Sequence, residues 1–332
     1  MRGWSAIGAA LLAVGCGASA PERTTDRPPV PRADTPPPPR APILELGGTY
    51  GCAIRLDQTL ACWDGEEPAR IAAPTGTFAQ LAVGDGHACA IATDGHVACW
   101  GDNARGEATP PPGVFTQISV GDELSCGIRY DRTLACWGHE DRRAAPEGLF
   151  AQVSLGSEHA CAVATDGHIA CWGANSYGQS LAPVGSFRRV EVGVLHSCAI
   201  RRDSTVLCWG FNADGQTVAP AGLFRAIAPR WTHTCGVRED DQILCWGRNS
   251  VGQATVANGE FAAVTVGLAH SCGLRTNRTV ACWGDNVEGS VAAPKGTFLA
   301  VASRAGTTCG VRTDRTMKCW GYDTTKSPPG RY

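Results

Sequence analysis

Sixteen of the 17 cysteines in this 332-residue chain fall into eight pairs, each with nine residues between its members and a Trp directly after the second. The pairs are Cys52/Cys62, Cys89/Cys99, Cys126/Cys136, Cys161/Cys171, Cys198/Cys208, Cys235/Cys245, Cys272/Cys282 and Cys309/Cys319. First members follow one another at 37 residues, with a single step of 35. A fixed period of this length is the mark of a repeat architecture, in which each unit is too small to bury its own apolar surface and must stack on its neighbours. Eight such units account for nearly all of residues 43–332.

The second unit shows the local pattern. Leu81 and Val83 alternate with Gln80 and Ala82 until Gly84-Asp85-Gly86 interrupts. His87-Ala88-Cys89-Ala90-Ile91 is a second alternating run, Thr93-Asp94-Gly95 a turn, and Val97-Ala98-Cys99-Trp100 a third run before Gly101-Asp102-Asn103. Short β-type runs cut by Gly, Asp and Asn predict an all-β fold. The proline-rich stretch from Thr109 to Gly113 can add at most an edge strand, since Pro does not donate to a ladder.

Placing Cys89 opposite Cys99 centres the hairpin on Asp94 and leaves a three-residue loop, which favours a type I turn followed by a left-handed residue. The cysteines then fall on a non-hydrogen-bonded pair with Cα atoms about 4.5 Å apart, close enough for a disulfide. Gly fills the third loop position only at Gly95 and Gly167; elsewhere the pattern puts Gln58, Arg132, Ser204, Gln242, Arg278 or Arg315 there. Alternation sets Cys89, Ile91, Val97 and Cys99 on one side of the hairpin and Ala88, Ala90, Ala98 and Trp100 on the other. Both sides are apolar, so each hairpin is expected to be sandwiched, its disulfide side against one neighbour and its Trp side against the next.

The runs Val83-Gly84-Asp85-Gly86-His87-Ala88-Cys89-Ala90-Ile91 and Trp100-Gly101-Asp102-Asn103 resemble the regulator of chromosome condensation repeat. So do Gly193 to Ile200 with Cys208-Trp209-Gly210-Phe211-Asn212 and Gly215-Gln216. The resemblance recurs eight times after Ile43. It implies a β-propeller, usually of seven blades, and the short units look most like secreted bacterial members, one of which inhibits β-lactamase. Both terminal copies here keep Cys, Trp and alternating strands, so eight blades are expected; seven blades with an extra packed hairpin is the alternative. The first unit has Asp64 where the others have Gly after Trp, and in the third unit His139 to Arg143 replaces the N-x-x-G-Q loop.

The remaining residues are of another kind. Within residues 1–15, a single Arg2 precedes an apolar run through Ile7, Leu11, Leu12 and Val14, too short to span a bilayer as a mature helix and readable as an export signal. It ends Leu12-Ala13-Val14-Gly15-Cys16, which resembles the bacterial lipobox; that resemblance implies lipid on Cys16, the one cysteine without a partner in the repeat. Residues 16–42 carry nine prolines from Pro21 to Pro42 and almost nothing to bury. They read as a disordered, extended tether of about 60–70 Å. Export into an oxidising compartment in turn favours disulfides in all eight pairs.

Chemistry is sparse. A lone cysteine pair supplies two ligands where structural zinc needs four, so no metal and no cofactor are expected. The once-per-blade His87, His159, His196, His233 and His270 are expected to close turns by hydrogen bonding; Asp57, Asp94, Asp131, Asp166, Asp203, Asp241 and Asp314, with Asn277, are turn residues. The eight repeated Trp are packing positions. With 29 Lys and Arg against 31 Asp and Glu, net −2, the chain lacks the basic excess of a nucleic-acid binder.

Identical positions serve a scaffold, so recognition is expected where the repeat is broken. Those places are Tyr50, Glu123, Leu124, Glu158, Arg230, Trp231 and Arg304 in the turn before the middle strand, and His139, Glu140, Asp141 and Arg142 in the altered third loop. Trp231 leads, as an aromatic outside the repeated Trp position and beside Arg230. The chain reads as a non-catalytic, envelope-anchored binding scaffold for a protein or envelope polysaccharide, touching the membrane through its N-terminal lipid only. Alternatives are an inhibitor of a secreted enzyme, an extracellular lyase or hydrolase, and, by resemblance alone, a guanine-nucleotide exchange factor.

Overall fold

The computed structural model describes residues 43–48, 50–64, 72–322 and 330–332; Cys16 and the N-terminal signal and tether lie outside them. The described residues form eight three-stranded antiparallel sheets, each in simple sequence order. The blades span residues 43–64, 78–101, 115–138, 150–173, 187–210, 224–247, 261–284 and 298–321. In blade 2 the inner strand is Phe78–Val83, the middle His87–Ala92 and the outer Val97–Gly101. Residues 109–113 form no strand.

Each disulfide joins directly opposed residues of the middle and outer strands, and all eight expected pairs form. Cys52 is bonded to Cys62, Cys89 to Cys99, Cys126 to Cys136 and Cys161 to Cys171. Cys198 is bonded to Cys208, Cys235 to Cys245, Cys272 to Cys282 and Cys309 to Cys319. The Cα separations are 4.0–4.1 Å, tighter than the spacing expected for an open non-hydrogen-bonded pair.

The hairpin turns have the expected left-handed third residue, Gln58, Arg132, Ser204, Arg278 and Arg315 among them. In blade 6 the assignment moves by one: Asp241, not Gln242, is left-handed, and Asp240 is the turn acid accepting from the Gln242 N–H. Elsewhere the acid does what turn chemistry asks, as where Asp57 accepts from the Thr59 hydroxyl at 2.6 Å and its N–H at 3.0 Å.

The core is a ring of eight interfaces, each built as the alternation predicts. Cys52 and Ile54 of blade 1 pack on Leu81, Val83, Ala88, Ala90 and Trp100 of blade 2; Cys89 and Ile91 of blade 2 meet Ile118, Val120 and Trp137 of blade 3. The series continues round to Cys309, Val311 and Cys319 of blade 8, which pack on Leu44, Leu46, Ala53 and Ala61 of blade 1. Eight blades therefore close the ring with no supernumerary hairpin. In seven blades the inner strand opens with a Phe followed by a one-residue bulge, as between Phe78 and Gln80, and that Phe is buried against a neighbour.

The expectation of full sandwiching needs one correction. The first cysteine of every pair is fully buried, but its outer-strand partner is only half-buried at Cys62, Cys99, Cys136, Cys171, Cys245 and Cys282. Only Cys208 and Cys319 of the outer strands are buried. Blades diverge away from the channel axis, so a neighbour covers the middle strand completely and the outer strand in part.

A propeller leaves the inner edge of every blade unpaired toward its channel, an exposed row of N–H groups that other folds must cover. Here the preceding blade covers it with side chains. Gln80 accepts from the Ile118 N–H at 3.1 Å, Gln117 from Val153 at 3.0 Å and Gln152 from Val190 at 2.7 Å. Ser119, Ser154 and Thr265 serve Leu155, Val192 and Ser303 in the same way. Arg189, Ala226, Ala263 and Ala300 hold the Gln position in blades 5 to 8, so that half of the channel has a different wall.

Candidate functional site

Two loops of each of blades 2 to 7 meet on one face of the ring, which we term the turn face: the turn between inner and middle strands, and the loop after the repeated Trp. They are tied to each other, as by Asp102 N–H to Gly86 carbonyl at 2.9 Å and Ala174 N–H to Glu158 carbonyl at 2.9 Å. Five residues before the first Cys of each unit stands Gly in six blades, at Gly47, Gly84, Gly121, Gly156, Gly193 and Gly267. These glycines form the throat of the channel. A Cβ added to Gly84 would strike the carbonyl oxygen of Gly121, and one added to Gly121 that of Gly156. The two exceptions are Arg230 and Arg304.

Both arginines border the channel and the recess at its mouth. The channel holds about 520 Å³ and the recess about 80 Å³. Arg304 reaches from blade 8 across the mouth to an ion pair with Asp85 of blade 2, and lies 3.8 Å from Asp122 of blade 3. Burial raises the Asp122 carboxyl above its ordinary value, with the charge of Asp85 adding to the effect. Arg230 has no carboxylate within ion-pair distance among the described residues. Burial, and then repulsion from Arg304, lowers its guanidinium to about 10, still charged at neutral pH. Trp231 beside it is 45% exposed and lines the recess.

Sequence alone did not point to the acids of the channel wall. Glu45 and Glu191 occupy the inner-strand positions opposite Cys52 and Cys198, where other blades have Ala, Ser or Thr. Glu45 has an accessible side chain, but what it faces is the channel and not open solvent. This partial desolvation pushes its carboxyl up to about 7, against the pull of Arg230 and with the charge of Glu191 adding to the rise. Glu191 is also raised by burial, opposed by Arg189, whose Nε lies 2.6 Å from it. The available signal was a Glu at a position whose parity faces the next blade.

The other expected positions divide. Glu123, His139 and Arg142 come together: the Glu123 carboxylate lies 3.8 Å from His139 Nε2 and 3.7 Å from Arg142 Nη2. Arg142 also donates to the Ser157 carbonyl at 3.1 Å, linking this group to the mouth. Glu140 pairs with Arg143 at 3.6 Å, Asp141 sits in the same loop, and Glu158 is exposed on the same face. Tyr50 and Leu124 are corrections, since both are buried between blades and present nothing to a partner.

They are buried because they stand in the His column, and the histidines do not close turns as expected. Each ring reaches a hydroxyl of the following blade: His87 to Ser125 at 2.7 Å, His159 to Ser197 at 2.7 Å, His196 to Thr234 at 2.8 Å, His233 to Ser271 at 2.9 Å and His270 to Thr308 at 2.8 Å. Where the following blade offers Ala88, Ala160 or Gly51, the His is replaced by Tyr50, Leu124 or Thr307. A buried imidazole is kept only where it has a partner. Among the described residues no group of side chains is arranged to hold a metal ion, and no helix is long and apolar enough to cross a membrane.

Five blades match the model of the Regulator of chromosome condensation (RCC1) repeat, at residues 78–107, 150–179, 187–216, 231–253 and 261–290. Five of the eight blades are therefore repeats of this family, and the described residues fold as its propeller. Among solved structures it is similar to the ectodomain of the Physcomitrella patens receptor kinase CR4, at 26% identity over 74% of each chain with a TM-score of 0.58. The CRINKLY ectodomain of the Arabidopsis thaliana receptor kinase ACR4 is similar at 24% identity over 77% of this chain and 99% of that one, TM-score 0.60. Saccharomyces cerevisiae Prp20p, described with its binding to Gsp1p and histones, shares the fold at 15% identity over 69% and 81%, TM-score 0.55. No curated protein matches the chain in sequence.

Proposed function

We propose that this protein is a non-catalytic scaffold that binds a partner protein on the turn face of its propeller, held in a bacterial envelope by lipid on Cys16. One observation carries the binding face. The repeat is broken by Arg230, Trp231 and Arg304 at a single place, the channel mouth, where an exposed Trp beside a cation is the composition of an interface anchor. Prp20p, which has the same fold, binds proteins, and this supports a protein partner over an envelope polysaccharide. The hydrophobic run before Cys16 supports export, and export disfavours exchange on a nucleotide-binding partner inside the cell.

The experiment is a pull-down from envelope extract with wild type, Trp231→Ala and Arg230→Ala. Loss of the same partner from both variants is the expected result, and equal recovery removes the proposed face. Labelled fatty acid should enter the wild type and not Cys16→Ser; equal labelling removes the anchor. Inhibition of a secreted enzyme is a subtype of this reading, with the enzyme as partner. A lyase or hydrolase has one observation in its favour, the Glu45 carboxyl pushed up to about 7 in a channel, since such shifts gather at catalytic sites. Desolvation in the channel and the charge of Glu191 account for that shift, so the scaffold is preferred.

A further inference from the structure

The rim of the channel mouth is two-sided. Four residues before the first Cys, blades 1 to 4 present Gly48, Asp85, Asp122 and Ser157, while blades 5 to 8 present Val194, Trp231, Leu268 and Ala305. One arc is acidic and polar, the other apolar, with Trp231 and Leu268 exposed to 45% and 47%. The two throat arginines differ as sharply. Arg304 is answered by Asp85 and Asp122. Arg230, on the apolar arc, is charged, largely shielded from bulk water and without an ion-pair partner among the described residues. Glu45, Asp85 and Asp122 act on it only from beyond ion-pair distance, and a shielded charge without a direct partner costs free energy that a bound anion returns. Beside it the channel wall carries only the small side chain of Ala228, leaving room for an incoming group.

We propose that Arg230 receives the carboxylate of an Asp or Glu side chain on the partner protein, whose apolar neighbours in sequence rest on Trp231 and Leu268. This rests on the turn face being the binding surface and names what that surface recognises. The chemistry selects a single carboxylate. A guanidinium takes it in a two-pronged, charge-assisted arrangement. A recess of about 80 Å³ admits the tip of one side chain and not a folded domain. A polyanion such as a nucleic acid or phosphorylated glycan would bring its further charges onto Asp85, Asp122 and Glu123 across the mouth.

The test uses a library of random heptapeptides selected on the intact, disulfide-bonded protein, with Arg230→Gln, Arg230→Lys, Trp231→Ala and Lys295→Gln, an exposed residue at the hairpin-turn end of the blades, as comparators. Each variant is first shown to melt like wild type. Selected peptides are expected to share an Asp or Glu beside Trp, Phe or Leu. Replacing that acid by its amide should weaken a synthetic peptide roughly tenfold to hundredfold. Arg230→Gln should cost as much and make acid and amide peptides equivalent; Arg230→Lys should recover part of the loss, and Lys295→Gln should change nothing.

A consensus without an acid whose binding is lost in Trp231→Ala would overturn the carboxylate and leave the turn face standing. A consensus indifferent to both Arg230 and Trp231 variants, or no selection at all, would also overturn it, and the fate of the binding face would then be decided by the envelope pull-down. Heparin binding tighter than any peptide and lost in Arg230→Gln would reassign the site to a polyanion.

Discussion

The guanidinium of Arg55 in blade 1 sits 5.9 Å from the ring centroid of Tyr332, the relation that Arg129 has to Phe115 at 5.5 Å and Arg312 to Phe298 at 5.8 Å within their own blades. Tyr332 donates its backbone N–H to the Arg315 carbonyl at 2.8 Å, as Phe78 does to Gln58 and Phe115 to Gly95. It is fully buried in the interface between blades 8 and 1. Tyr332 is thus the Phe of blade 1, supplied from the other end of the repeat array, and the ring is fastened there by a side chain with no covalent link. Tyr332→Ala is expected to lower stability by about 3–5 kcal/mol, the usual cost of emptying a buried aromatic site. Tyr332→Phe, which restores the residue of the other seven blades, should stay within about 1 kcal/mol of wild type. Denaturant midpoints decide; a small effect from the Ala variant would mean that the ring closes without this contact.

The His column predicts a coupled pair. His196→Leu leaves the Thr234 hydroxyl buried without its partner and should cost about 1–3 kcal/mol. His196→Leu with Thr234→Ala copies the natural Leu124 and Ala160 arrangement and should recover part of that loss, giving a favourable coupling in a double-mutant cycle. Simple additivity would show that the two groups do not interact.

The same column makes the fold acid-sensitive. Burial lowers His196 to about 3 and His159, His233 and His270 to about 4, and lowers His87 as well. An unfolded imidazole titrates near 6.5. Between these values the unfolded chain binds more protons than the folded one, so stability is complete above about pH 6.5 and falls as the pH drops toward 4. Melting temperatures across this window should decline with a slope that is shallower in the His196→Leu, Thr234→Ala protein. An unchanged slope would show that His196 does not contribute.

Alternation and spacing made most of this fold legible. Strand number, disulfide pairing and the two faces of each hairpin follow from a period of two inside a period of 37, because each blade must bury both sides. What escaped depended on contacts between blades. Tyr50 and Leu124 look like broken repeat positions, yet they follow from Ala88 and Ala160 some 38 or 36 residues on, a correlation visible only once the blades are ordered in space. Arg230 and Arg304 are irregular in sequence, but their meaning comes from the six glycines they replace in the throat. The half-exposure of Cys62, Cys136, Cys245 and Cys282 follows from the radial spread of the blades, which alternation along one strand does not encode. Tyr332 becomes legible only when Gly330-Arg331-Tyr332 is aligned with Gly76-Thr77-Phe78 and the six matching triplets. Blade 1 has Ala41 at that spacing, so the vacancy was also written in the chain.

Glu45 should weaken the fold as the pH rises. Its folded carboxyl is held up to about 7, against about 4.5 when solvated, so the folded state binds the extra proton between these values. Stability from this group is unpenalised below about 4.5 and declines as the pH climbs through 7, opposite in sign to the histidines. Glu45→Gln, which keeps the shape and removes the charge, is expected to raise the melting temperature at pH 8 and to change it little at pH 4. An equal shift at both values would trace the effect to packing and not to ionisation.

The disulfides differ in shielding. The first cysteine of every pair is fully buried, and in blades 5 and 8 its partner, Cys208 or Cys319, is buried as well. In the other six blades the partner, as at Cys62, Cys136, Cys245 and Cys282, is half-buried. A reductant needs thiolate access to one sulfur. Reducing agent without denaturant should therefore open those six bridges first, with alkylation appearing on the outer-strand cysteines, and reach blades 5 and 8 last. Non-reducing digestion and mass spectrometry of untreated protein should recover only pairs within a blade, such as Cys161 with Cys171. Replacing that pair by alanines is expected to cost about 2–4 kcal/mol, the range for closing a short loop. The effect should act on unfolding at blades 4 and 5, where Cys161 packs against Val190, Val192 and Ala199. Protection of the blade 4 and 5 amides from hydrogen exchange should fall first, with distant blade 8 least affected. A uniform loss around the ring would show that the propeller opens as one unit, and a bridge recovered between blades would contradict the register of every hairpin.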